Sequence, residues 1–437
     1  MEQINKINKI LHQDITNIEL NDKYKFGLHN NLLSEVSYPS GQNINSYYNF
    51  SNKVKPRCVV TNQGSSGRCW LFAGLNMIRN NFIKSNNLQT NFEFSQNYLF
   101  FWDKLERVNY FIHLYQESKE RDQLDSQVVQ FLLKSPMGDG GQWQMFANLI
   151  EKYGLMPKDN YQETTHSGNP RGLNLVLTKK LREYCKEIRT TNNFSRKNAI
   201  EDTYKLLVKF LGKPPTIFDW EYVDKDGKFI TKNDMSPQIF YKNVVKLDIN
   251  NFVSITNDPR NPYNCNYGVE KLGNIIEGKE VKYMNIDMTR IMELVKKSID
   301  ENDPVWFGCD VGQFLHSKTN IMDDKLFNIE ESLGIKFGLN KRERIEYGDS
   351  LMTHAMLITG YNMDRYGNID RWEIENSWGT KGPNNGYYTM TTNWMREYVY
   401  QVVINNKYIT QNEKDLYNNN IEVRFPPWDP MGALAKC

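Results

Sequence analysis

The hydrophobic pattern of this chain changes period, and that change limits what it can fold into. After the loop signal NQGSSGR at residues 62–68, apolar side chains fall at Leu71, Leu75, Ile78 and Phe82, the spacing of one helix face. That helix is predicted to start at Cys69. From Leu351 the period is two: Met352, His354, Met356 and Ile358 share a face, a turn follows over residues 364–368, and a second strand carries Trp372, Ile374 and Asn376. His354 and Asn376 therefore point with apolar neighbours toward a covered interior, where an imidazole and an amide need bonding partners.

Between these regions the chain reads as helices at about residues 95–107 and, after Gly140 and Gly141, at QMFANLIEKYG. Residues 161–347 alternate helical segments such as LTKKLREYCKEI with a hairpin at Asp226 and Gly227, and they carry no catalytic motif, so they read as an insertion. The glycine of VDKDGKF comes too early for an EF-hand loop. Residues 1–50 read as a polar arm, and the ending FPPWDPMGALAKC as a second, extended one.

At 437 residues, 39% hydrophobic and 13% aromatic, the chain is a folded protein and not a disordered one. Its 54 basic and 52 acidic residues leave a net charge of +2, too little to drive it as a whole onto nucleic acid or an anionic membrane. The N-terminal stretch has no apolar core of signal-peptide length and no run is long enough to span a bilayer, so a soluble, cytoplasmic protein is expected. Cys58, Cys69, Cys185, Cys265, Cys309 and Cys437 are dispersed, without the paired spacing of a disulfide framework or zinc ribbon. The six histidines have no metal-ligand spacing, so neither metal nor cofactor is expected.

A thiol at a helix N-terminus faces free backbone N–H groups and the positive end of the helix dipole, which favour its thiolate. Cys69 has that placement. His354 would hold the proton and return it to a leaving amine, with its ring fixed by Asn376. The Cys69 N–H and the Gln63 amide would supply an oxyanion hole. A nucleophile-elbow serine and an HExxH run are both missing from the sequence.

The run from Gln63 to Trp70 resembles the active-site segment of papain-like cysteine peptidases, His354-Ala355 their histidine strand, and Asn376-Ser-Trp-Gly379 their asparagine segment. More narrowly, EFSQNYLFFWDKLER, DGGQW, WFGCDVG, SLMTHAM, ENSWG and WDPMGALA are similar to the bleomycin hydrolase and bacterial aminopeptidase C family. The resemblance implies an α+β, papain-like two-lobed fold, with a helical lobe, an antiparallel β lobe, a large and mostly helical insertion, and an extended C-terminal arm. It divides the chain into an N-terminal arm (1–50), a catalytic helical lobe (51–160), the insertion (161–347), the β lobe (348–405) and the C-terminal arm (406–437).

By the same resemblance Cys69 is the nucleophile, His354 the acid/base, Asn376 the orienter and Gln63 the oxyanion donor. Gly140 and Gly141 let a peptide approach, Trp378 covers the histidine–asparagine bond, and the arm near Ala435 limits cleavage to substrate ends. The implied activity is that of a cytosolic aminopeptidase on peptides with a free N-terminus. The implied assembly is a homohexamer with active sites on an internal channel, and weak binding of single-stranded nucleic acid stays open. Lys436 and Cys437 run past the position at which the family's arm ends, so self-trimming is an expectation. Ser66 stands where secreted relatives have a disulfide cysteine, in keeping with a reducing compartment.

Overall fold

The computed structural model describes residues 25–38 and 44–436, in two compact units. The smaller lies within residues 1–43 and 324–338 and contains the short helices Lys25–Asn30, Leu33–Val36 and Ile329–Leu333. Its two stretches of chain close on each other where the Asn328 N–H donates to the Ser37 carbonyl at 2.9 Å and Tyr38 meets Phe327 edge-on. Most of the expected N-terminal arm, residues 1–24 and 39–43, lies outside the described residues. Residues 44–53 belong to the larger unit, where Asn52–Lys53 pairs with the strand His354–Met363.

The larger unit is built on a twelve-stranded sheet. Its strands run in the order Val423–Phe425, Cys265–Val269, Lys282–Asn285, Phe252–Thr256, Val399–Asn405, Val305–Cys309, His354–Met363, Ile369–Glu375, Tyr387–Thr391, Ile321–Met322 and Leu315–His316, with Asn52–Lys53 attached to His354–Met363. The sheet is mixed: Phe252–Thr256 with Lys282–Asn285, Cys265–Val269 with Val423–Phe425, and Tyr387–Thr391 with Ile321–Met322 are parallel pairs. Residues 161–347 therefore do not stand apart as a helical insertion. They supply the helices Arg171–Thr190 and Arg196–Leu211 and the hairpin Phe218–Val223/Phe229–Met235, and then several strands of the main sheet. The run VWFGC is apolar at successive positions because both faces of its strand are covered, and so short a run does not announce itself as a strand.

Side chains alternate between two cores. Ala355 and Leu357 pack with Trp70, Trp143 and Trp306 under the N-terminal helices. Met356, Ile358, Trp372 and Ile374 pack on the other face, against Ile291, Leu294 and Val295 of the helix Met288–Asp300. Met352, expected on the face of Met356, precedes the strand and lies in the first core over Gly308. The period of two holds only where the backbone is extended.

The helix Cys69–Ser85 begins where the sequence placed it. It runs close to the helix Trp143–Tyr153, because Gly74 leaves room for the Phe146 ring, which would come within 2.6 Å of any Cβ there. The second helix, Gln96–Arg121, starts close to the expected position, capped by the Ser95 hydroxyl, which accepts from the Tyr98 N–H at 3.1 Å. It runs well beyond Arg107, because Val108, Phe111, Ile112 and Tyr115 continue its buried face. The turn at Asp226 and Gly227 is the hairpin read from sequence, closed by the Asp224 N–H on the Lys228 carbonyl. No helix among the described residues is long and apolar enough to cross a membrane.

Candidate active site

The chain around Gln63 is held edge to edge against the segment that follows the strand Ile369–Glu375. Gln63 N–H donates to the Ser377 carbonyl and Gly379 N–H to the Thr61 carbonyl, each at 2.8 Å, with Asn62 opposite Trp378. These bonds carry the Asn376-Ser377-Trp378 segment to the base of the loop that leads into Cys69. Gly64 takes a positive φ of 63° where the Gly168 carbonyl would lie 2.6 Å from a Cβ, so only glycine fits the turn.

The loop is tied down from within. Ser66 Oγ donates to the Gln63 carbonyl at 2.6 Å and accepts from Arg68 Nε at 2.9 Å. Arg68, fully buried, makes a forked pair with Glu163 at 3.0 and 2.8 Å and lies against the rings of Phe72 and Phe100. Burial raises the Glu163 carboxyl, but Arg68 and Ser167 outweigh it and hold it below its ordinary value. The helix then opens with no side-chain cap at Arg68 and no acidic residue in its first turn. The Arg68 carbonyl takes the N–H groups of Leu71 and Phe72, which leaves those of Cys69 and Trp70 outside the helical ladder. Cys69 is buried at this tip.

That helix packs on the strand His354–Met363. His354 Nε2 lies 2.9 Å from Asn376 Oδ1, which also accepts from the Ser377 N–H at 2.8 Å. With Nε2 given to the asparagine, Nδ1 is the ring nitrogen left for proton exchange. The Trp378 indole, 38% exposed, covers the imidazole with ring centroids 4.9 Å apart. Burial pulls the His354 pKa down to about 4, with the bond to Asn376 opposing it. Cys309, the register partner of His354, is fully buried. Burial pushes its thiol well above the ordinary range, and the charges of Asp310 and Cys69 push it further, so Cys69 is an electrostatic neighbour of the residue paired with His354.

The other sequence-assigned residues gather at the same place with different local reasons. Gln63 Oε1 accepts from Ser377 Oγ at 2.6 Å, and Nε2 donates to the Ser66 carbonyl at 2.5 Å, so one amide hydrogen is already engaged. Trp70 Nε1 donates to the Asp139 carbonyl at 2.7 Å, and a Cβ at Gly141 would meet the Trp70 ring at 2.5 Å. The close approach at Gly141 is thus to the indole that follows Cys69. Asp139 pairs with the buried Lys104 at 2.6 Å and accepts from Asn174 at 2.7 Å and from the Gly67 N–H. Ala435 lies not in an extended arm, as expected, but in a buried 3-10 helical turn, Pro430–Lys436, its carbonyl 3.4 Å from Arg107 Nη1, while Gln142 Nε2 donates to the Met431 carbonyl at 3.3 Å. Cys437 lies outside the described residues.

Sequence reading passed over Arg107, which also bonds the Gly140 carbonyl, and the buried pair Arg79–Glu375 at 2.5 Å. The available signal was charge inside an apolar helical pattern: Asp103, Lys104 and Arg107 interrupt one buried face of Gln96–Arg121. Among the described residues no group of three or more His, Cys, Asp or Glu side chains could hold a metal ion.

A cysteine at a helix tip, on a helix packed against the strand that presents a carboxamide-bound histidine, is an arrangement suited to thiol chemistry. The chain belongs to the Peptidase C1-like family, whose model matches residues 1–432, and it is a cysteine peptidase of papain-like fold. It is 40% identical over 384 residues to an aminopeptidase C of Listeria monocytogenes and 41% identical over 395 residues to a bleomycin hydrolase of Gallus gallus, with 86% of each chain covered in both comparisons. The crystal structure of PepW from Lactobacillus rhamnosis superposes with a TM-score of 0.91 at 36% identity, covering 97% of both chains.

Proposed function

We propose that this protein is a cytosolic cysteine aminopeptidase that hydrolyses peptide and amide bonds next to a free amino group through an acyl-enzyme on Cys69. The observation that carries the reading is the 2.9 Å contact between His354 Nε2 and Asn376 Oδ1. It fixes the imidazole so that Nδ1 is the nitrogen that trades a proton with the thiol. Cys69 Sγ attacks the substrate carbonyl as thiolate, and the oxyanion takes the Cys69 N–H and the second amide hydrogen of Gln63. His354 protonates the leaving amine, then deprotonates the water that releases the acyl group.

Exopeptidase specificity is assigned to the C-terminal turn. Its burial beside Gln142 and Arg107, one indole away from Cys69, supports a role in filling part of the cleft. The relatives named aminopeptidase C support the same direction. The cytosolic setting and a homohexameric assembly rest on the resemblance of the motifs.

Hydrolysis of amino-acid arylamides and of N-blocked peptides, with and without a thiol alkylator and read alongside native mass, tests the reading. Alkylator-sensitive cleavage of the free-amine substrates, with refusal of blocked ones, is expected. Cleavage of both at equal rates contradicts the aminopeptidase assignment.

A further inference from the structure

The charged cluster in the helix Gln96–Arg121 is not used by the reaction itself. Lys104 donates to the Gly138 carbonyl and to Asp139, both at 2.6 Å. Arg107 gives Nε to Asp103 at 2.6 Å, Nη2 to the Gly140 carbonyl and Nη1 to the Ala435 carbonyl, and lies over the Trp70 ring with its guanidinium carbon 5.7 Å from the centroid. One nearly buried planar fork thus touches the glycine segment, the C-terminal turn and the residue after Cys69. Upstream, Arg260 holds Asp429 at 3.2 and 3.1 Å, so the turn is fastened at both ends.

We propose that Arg107 is the specificity-determining positioning residue for the C-terminal turn: it sets how far Ala435 stands from the Gly140 edge and therefore where a substrate's free amino end must stop. The inference rests on the proposed role of the turn in exopeptidase specificity. A guanidinium holds two carbonyls at a fixed separation in one plane, which a lysine ammonium does not. Asp103, itself bonded by Asn274 at 3.0 Å, keeps the fork from swinging away. Beyond the turn lies a cavity of about 410 Å³ lined by Phe111, Leu114, Leu132 and Trp428, which also borders Ala435 and Lys436. Released from Arg107, the turn has room to move into it.

The test compares the wild type, Arg107→Met, Arg107→Lys and a chain ending at Pro430 on an N-acetylated peptide and an amino-acid arylamide, with products identified by mass spectrometry and folding followed by thermal melts. Both Arg107 variants are expected to cleave the acetylated peptide at least about tenfold faster than wild type, the worth of a hydrogen bond to a charged group. Their loss on the arylamide is expected to fall on KM, because the fork stands away from the reacting atoms. Arg107→Lys keeps the buried charge beside Asp103 and serves if Arg107→Met does not fold. If the shortened chain cleaves the acetylated peptide and neither folded Arg107 variant does, Arg107 does not set the stop and the inference is wrong, while the role of the turn stands. If the shortened chain refuses the acetylated peptide as the wild type does, the role of the turn falls and the inference falls with it.

Discussion

Arg79 and Glu375 form a buried ion pair at 2.5 Å that joins the helix carrying Cys69 to the residue directly before Asn376. Arg79 also donates to the Val59 carbonyl at 2.8 Å and the Phe92 carbonyl at 3.3 Å, so it reaches the chain leading toward the Gln63 loop as well. Two segments far apart in sequence are thereby fixed to each other close to where thiol and carboxamide are presented.

Removing one partner leaves an uncompensated buried charge. Arg79→Met and Glu375→Leu are each expected to cost about 3–5 kcal/mol, while the double variant recovers most of that loss. Denaturant midpoints at matched slopes measure the coupling. Strictly additive losses contradict a pairwise clamp.

Asn376→Ala removes the acceptor of the His354 Nε2 bond and leaves the ring free to turn under Trp378. The value of kcat/KM is expected to fall about 100-fold, within the range general acid–base catalysis supplies. Asn376→Gln is expected to recover little, since its longer side chain moves the oxygen away from a contact now at 2.9 Å. Steady-state rates on an amino-acid arylamide check both.

The His354 pKa is drawn down by burial to about 4 from an ordinary 6.5. Its folded value lies below its unfolded one, so between those values the unfolded chain binds more protons and stability declines as pH falls from 6.5 to 4. In a Cys69→Ala background, where no thiolate can hold an imidazolium, this decline is expected in full, and it is expected to shrink when His354→Gln is added. Unfolding free energies at a series of pH values measure the difference.

Gly141→Ala places a methyl group 2.5 Å from the Trp70 ring. A loss of about 1–3 kcal/mol is expected from overpacking. Because Trp70 follows Cys69, a lower rate of Cys69 alkylation is expected with it. Thermal melts and alkylation kinetics follow the two effects.

What the sequence made legible was local. The helix starting at Cys69, the helix beginning near Ser95, the turn over residues 364–368 and the strand bearing His354 all have amphipathic periods or turn chemistry confined to a few residues, while the second strand stops at Glu375, one residue short of the Asn376 it was expected to carry. The strand Val305–Cys309 was hidden because a strand covered on both faces needs no alternation, and Phe252–Thr256 because five residues are too short a run to stand out. Arg107 and Arg79 were hidden for a different reason: their partners, Ala435 and Glu375, are hundreds of residues away, and nothing in a helix's own spacing names a distant partner. The indole of Trp70 against Gly141 was hidden for the same reason, since only the packed structure brings that ring to the glycine.

The most direct test of the central claim is the turnover of an amino-acid arylamide by Cys69→Ala, with far-UV circular dichroism and native mass compared with those of the wild type. Hydrolysis at the uncatalysed background rate from a chain of unchanged fold and assembly is predicted. Turnover near the wild-type rate from that variant would contradict the assignment of Cys69 as the nucleophile.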